Sequence, residues 1–188
     1  MQVQPHELFE AAFNGDKNKV KYAIQNGVST NVADNEMRTP LMLAAYNGHV
    51  EILRRLLEHG AEIERRDRQG RTALMFAATG PFPEVVKLLI DHGADINAVD
   101  GGEGWTPLMF AAAEGHLAVV RILMEAGADK DIVDVDGDTA YTFATKKHHM
   151  EVARFLSQSR ARKRISLSAG HGVELGSLPT DSTNETFS

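Results

Sequence analysis

One phrase returns along this chain at a nearly constant interval, and that periodicity restricts the possible folds more than any other feature. Thr39-Pro40-Leu41-Met42-Leu43-Ala44-Ala45 recurs as Thr72-Ala73-Leu74-Met75-Phe76-Ala77-Ala78 and as Thr106-Pro107-Leu108-Met109-Phe110-Ala111-Ala112, at spacings of 33 and 34 residues. A second phrase keeps step: His59-Gly60-Ala61-Glu62-Ile63, His92-Gly93-Ala94-Asp95-Ile96 and Ala126-Gly127-Ala128-Asp129. Two phrases locked at one interval define a unit of about 33 residues. Weaker copies flank them. Leu8 to Gly15 lies 33 residues before Leu41 to Gly48, and Asp134-Val135-Asp136-Gly137-Asp138-Thr139-Ala140-Tyr141 opens a last copy. The repeat domain is therefore read as 1–157, with units of about 1–33, 34–66, 67–99, 100–133 and 134–157. Atypical terminal units are expected, because each has one face in water.

Each unit reads as two helices and a loop. Thr39 caps a first helix whose first residue, Pro40, has no N–H to leave unpaired. Leu41, Ala44 and Ala45 follow at helical spacing, and Asn47-Gly48-His49 ends the helix. A second helix is predicted from about Val50 to Glu58, with Ile52, Leu53, Leu56 and Leu57 on one face. Gly60 supplies a left-handed stop. The paired alanines let the first helix pack closely on its neighbours, and one helix pair cannot bury its apolar face alone, so units must stack.

In these phrases the chain resembles the ankyrin repeat: T-P-L, a double alanine, G-H, a leucine run and G-A-D, at a 33-residue period over about 157 of 188 residues. The resemblance implies an all-α solenoid of helix-turn-helix pairs with β-hairpin loops projecting at about a right angle. There are departures. Met42, Met75 and Met109 stand where the family has His, and apolar, adaptable contacts between units are expected of them. Gly80-Pro81-Phe82-Pro83 replaces Asn47-Gly48-His49-Val50, which predicts a reshaped turn. Gly101-Gly102-Glu103-Gly104 carries one extra residue, which predicts a looser or bulged tip.

Composition excludes several functions. The chain has no cysteine, so disulfides, thiolate nucleophiles and Cys-based metal sites are ruled out. It has 20 basic and 26 acidic residues. A net negative charge disfavours broad binding to nucleic acid or anionic membrane. No apolar run approaches the roughly 18 residues of a membrane helix, and the N-terminus does not read as a signal peptide. A cytoplasmic location is expected, or a nuclear one in a eukaryotic host.

No catalytic, cofactor or metal constellation stands out. His49 and His116 fall in the G-H phrase and read as hydrogen-bonding residues within or between units. His59 and His92 suit the negative ends of second helices. His148 and His149 diverge by about 100° on a helix. Asp134 to Asp138 lacks the full calcium-loop pattern and reads as a turn. Gly101 to Gly104 is followed by no Gly-Lys-Ser/Thr, so it is no phosphate loop.

Carrying the family's concave surface over by position gives a candidate partner-binding set: Arg38, Tyr46, Asn47, Arg66, Arg68, Gln69, Arg71, Glu103, Trp105, Glu114, Asp136 and Asp138. Two features mark it. Trp105, the single tryptophan, is either an exposed anchor or a ring packed on its own Gly-rich tip. Charge is segregated, with the second and third tips basic and the later tips acidic, which would orient a partner of reverse pattern. Beyond residue 157 periodicity ends. Arg160-Ala161-Arg162-Lys163-Arg164 is a basic run, with nuclear import, phosphate contact or a phosphorylated Ser166 among its readings. Residues 166–188 hold eight Ser or Thr and read as a disordered tail. If the host is eukaryotic, the resemblance also makes Asn97 a hydroxylation candidate.

The expectation is a monomeric, non-catalytic module that binds a protein partner, with no cofactor. The alternative is a regulatory or inhibitory subunit dedicated to one enzyme. Nucleic-acid binding through the Arg-rich tips and tail is weaker still, because the array without its tail keeps 16 basic against 23 acidic residues.

Overall fold

A computed structural model describes residues 4–159. They form five helix pairs: α1 (Pro5–Asn14) with α2 (Lys17–Gln25), α3 (Pro40–Tyr46) with α4 (Val50–Glu58), α5 (Ala73–Ala78) with α6 (Pro83–Asp91), α7 (Pro107–Ala113) with α8 (Leu117–Glu125), and α9 (Ala140–Lys146) with α10 (Met150–Gln158). First helices stack on first helices and second helices on second helices along the chain order. The architecture is an all-α solenoid. The basic run and the Ser/Thr-rich segment lie outside the described residues.

The core follows from the repeated phrases. Ala44, Ala45, Ala77, Ala78, Ala111 and Ala112 are all buried, so the first helices approach closely. Leu41, Leu74 and Leu108 are about 1% exposed, within one core that runs through the stacked units. Ile52, Leu53 and Leu56, with Val85, Val86 and Leu89, and Val119, Val120 and Leu123, fill the space behind. Burial of such side chains stabilises by about 1.5–3 kcal/mol each before the entropic cost of ordering them.

The methionines do more than expected. The Sδ atoms of Met42, Met75 and Met109 each accept the backbone N–H of the capping threonine at 3.4 Å, while Thr39, Thr72 and Thr106 accept the methionine N–H in return. The apolar inter-unit role predicted for them is therefore incomplete: each thioether closes a capping box within its own unit, where it spares a buried N–H from going unpaired. In the fifth unit Thr142 Oγ1 takes this place, accepting from Thr139 N–H at 2.6 Å.

Histidines stitch units together. The Nε2 atoms of His49, His116 and His149 lie 2.9, 3.1 and 3.0 Å from the carbonyls of Phe13, Thr79 and Ala113 in the preceding unit. In the third unit Phe82 stands in the histidine's place and packs on Gly48, where an added Cβ would meet the ring at 2.4 Å. His59 and His92 instead turn Nδ1 to the carbonyls of Arg55 and Leu88, both at 2.8 Å, at their own helix ends.

The loops have hairpin closure but contain no strand among the described residues. One backbone bond closes each tip: Asp34 to Arg38, Asp67 to Arg71 and Asp134 to Asp138 at 3.0–3.1 Å, and Asp100 to Trp105 at 3.0 Å. The extra residue in the fourth tip widens that loop by one position without opening it.

Candidate partner-binding surface

Each tip is organised by an aspartate that sequence reading did not single out as a set. Asp34 Oδ1 accepts the N–H groups of Glu36 and Arg38, both at 2.9 Å. Asp67 Oδ1 accepts those of Gln69 and Arg71 at 3.0 and 2.8 Å. Asp100 Oδ1 accepts those of Gly104 and Trp105 at 2.7 and 3.0 Å. Asp134 Oδ1 accepts those of Asp136 and Asp138 at 3.0 and 2.8 Å. A carboxylate that takes two main-chain donors folds a short loop onto itself. The legible signal was the recurrence of Asp at 34, 67, 100 and 134, in step with the repeat.

The arginines of the second and third tips are engaged within the protein. Arg38 directs Nε and Nη2 to Asp34 Oδ2, both at 2.8 Å. Arg71 directs the same two groups to Asp67 Oδ2 at 2.8 and 2.7 Å, and its guanidinium lies 4.5 Å over the Phe76 ring. Burial pushes the Asp34 carboxyl up, but the Arg38 side chain and the Arg38 and Glu36 N–H groups outweigh it and hold the pKa below its ordinary value. Arg66 Nη1 donates to the carbonyls of Gly70 and Val99 at 2.9 and 2.6 Å. Arg68 Nε donates to Asn35 O at 2.6 Å. The segregated positive charge is present, yet these four guanidiniums also tie tips to themselves and to neighbouring tips.

The remaining predicted residues divide in two. Asn47 donates Nδ2 to Phe13 O at 2.8 Å, and Gln69 accepts weakly from Arg71 at 3.4 Å, so both serve the scaffold. Tyr46, Glu103, Glu114 and Asp136 are exposed. Asp138 pairs with Lys146, whose pKa that contact raises.

Trp105 is half-buried, with its ring centroid 4.3 Å from Phe143 and 5.1 Å from Phe110. It bridges the fourth and fifth units rather than standing free. Tyr46 meets Phe76 edge-on at 6.3 Å. The structure thus adds a row that sequence reading missed: Leu43, Phe76, Phe110 and Phe143 occupy the same place in successive first helices, with Tyr46 and Trp105 against them. Their common register within the repeat was the available signal.

A stacked array of short helix pairs with hairpin-shaped tips, held by histidine–carbonyl bonds across three of its four junctions and by Phe82 at the other, defines a helical repeat protein. The family pattern described as Ankyrin repeats (3 copies) matches residues 8–100 and 97–166. The chain belongs to the ankyrin repeat family. No protein of curated function matches it. Members of this family are generally non-catalytic protein-protein interaction modules. Among the described residues no helix is long and apolar enough to cross a membrane.

Proposed function

We propose that this chain binds a protein partner on the face formed by its tips and first helices, centred on the aromatic row from Tyr46 to Phe143. The observation that carries this reading is the combination of a preformed scaffold with an exposed Tyr46 and part-buried Trp105 and Phe110, seated on the buried Phe76 and Phe143 and flanked by charge. Every tip is closed by its own aspartate, so little ordering entropy remains to be lost on association. Tyr46, exposed at its edge and supported on Phe76, is the side chain best placed to enter a partner, and Glu103, Glu114 and Asp136 supply the polar surround. Trp105 contributes by stiffening the fourth tip over Phe110 and Phe143. The arginines at 38, 66, 68 and 71 shape the tips and present only their remaining donors outward.

The test is Tyr46→Asp combined with Glu114→Arg, two exposed positions. Capture of partners from the native host by the wild-type chain, followed by quantitation of each captured protein by mass spectrometry, should fall at least about tenfold for the specific partner. Helical circular dichroism should not change. Equal capture by both chains would place the binding surface elsewhere.

A further inference from the structure

The outward end of the fifth unit differs from every internal junction. Leu8, Leu41, Leu74 and Leu108 are at most 1% exposed, whereas Tyr141, at the same place in the repeat, is 45% exposed. Val133 and Val135 beside it are 53% and 66% exposed. Asp131 and Asp136 are exposed as well, so this end is both apolar and acidic.

Two hydrogen-bond ladders run along the loops towards this end, and both finish on an acceptor. In the first, Asn31 Oδ1 accepts the N–H of Glu62 at 2.8 Å, Glu64 Oε1 that of Asp95 at 2.9 Å, and Asn97 Oδ1 that of Asp129 at 2.9 Å. The next position in that series, four residues past Gly127 as Asn97 is past Gly93, is Asp131, an exposed carboxylate to which no following loop donates among the described residues. This ladder therefore ends on a side-chain acceptor. The second ladder is made of main chain. The carbonyls of Glu36, Gln69 and Glu103 accept the N–H groups of Arg68, Gly101 and Val135 at 2.9, 2.7 and 3.0 Å. The next carbonyl in that series belongs to Asp136, and no sixth tip stands beyond it among the described residues. Both ladders are left open, like the edge of a sheet that can take another segment.

The chain itself carries a segment with matching chemistry at the right place. α10 ends at Gln158, the point from which the chain leaves each earlier second helix to build the following tip. After Ser159 the chain continues for 29 residues, close to one unit, and its first eight are Arg160, Ala161, Arg162, Lys163, Arg164, Ile165, Ser166 and Leu167. The family match runs on to residue 166. We propose that residues 160–167 lie along the outward face of the fifth unit, their cations against Asp131 and Asp136 and Ile165 and Leu167 against Tyr141 and Val135. Exposed ion pairs contribute little singly and weaken with salt. Covalent tethering offsets this by giving the segment a high effective concentration at its own end face. The face is the end of the array, so this inference stands whether or not the row of aromatics binds a partner.

Because the chain has no cysteine, proximity is measurable by disulfide trapping in the full-length protein. Ser166→Cys with Val135→Cys is compared with Ser166→Cys and Asn18→Cys, which places the second thiol on the exposed surface of the first unit. Under mild oxidation of dilute protein, the first pair should form an intramolecular disulfide roughly tenfold faster than the second. The advantage should disappear at high salt and in the background R160E/R162E/K163E/R164E, with helical circular dichroism unchanged. Equal rates for the two pairs, insensitivity to the charge reversal, or a covalent dimer as the main product of the first pair would each overturn the proposal; the dimer would place a second copy on this face.

Discussion

The second and third tips close around an aspartate held by an arginine, whereas the fourth and fifth close around an aspartate without one. All four carboxylates take two main-chain N–H groups through Oδ1. Only Asp34 and Asp67 also receive a guanidinium on Oδ2, from Arg38 and Arg71. At the equivalent place the fourth tip has Trp105 and the fifth has Asp138. The same loop geometry is thus neutralised internally in one half of the array and left acidic in the other. Charge counted along a sequence overstates what a partner meets in the first half and describes it more faithfully in the second.

The sharpest way to break this comparison is to remove the carboxylate in each half. Asp67→Ala strands two main-chain donors at a buried position and leaves the part-exposed Arg71 guanidinium without its carboxylate, and a loss of about 2–3 kcal/mol is expected. Asp134→Ala strands only the main-chain donors, and about 1–2 kcal/mol is expected. Urea unfolding of the two variants side by side measures the gap; equal losses would mean that the arginine adds nothing to loop closure. Trp105→Ala probes the other half. It removes a half-buried ring that joins Phe110 to Phe143, and about 2 kcal/mol should be lost, seen as a lower thermal midpoint. A variant as stable as the wild type would mean that the ring does not join the fourth and fifth units.

The smallest effect is one of pH. The folded pKa of Asp34 is lowered below 3.8, so its contribution is present above the unfolded value and is lost as pH falls through the folded one. The stability difference between wild type and Asp34→Asn should be constant from pH 7 to about 5 and shrink below about pH 4. A difference that persists at pH 2.5 would assign the effect to shape rather than ionisation.

Much of the fold was legible because it depends on local chemistry repeated in phase. The Thr-Pro-Leu phrase marks helix starts, the alanine pairs mark close packing, and Gly60 and Gly93, at φ of 83° and 90°, mark helix ends. The bridging histidines at 49 and 116 were legible for the same reason. The candidate surface was legible only as a set of positions. Whether Arg38 meets solvent or Asp34, and whether Asn47 faces a partner or Phe13, depends on side-chain direction, which spacing does not encode. Met37 and His148 make the same point: both sit at left-handed φ, 60° and 64°, where sister units place glycine. Strain at a non-glycine residue there is overruled by the rest of the unit.

Residue type and period alone determined that this chain must stack helix pairs into an elongated array, because no single pair can bury its own apolar stripe. Tertiary structure alone decided which polar groups turn inward to satisfy that stack and which remain for another molecule. The physical reason is that a hydrophobic stripe is a property of one helix, while a hydrogen bond from Arg66 to Val99 or from His116 to Thr79 exists only once two units have met.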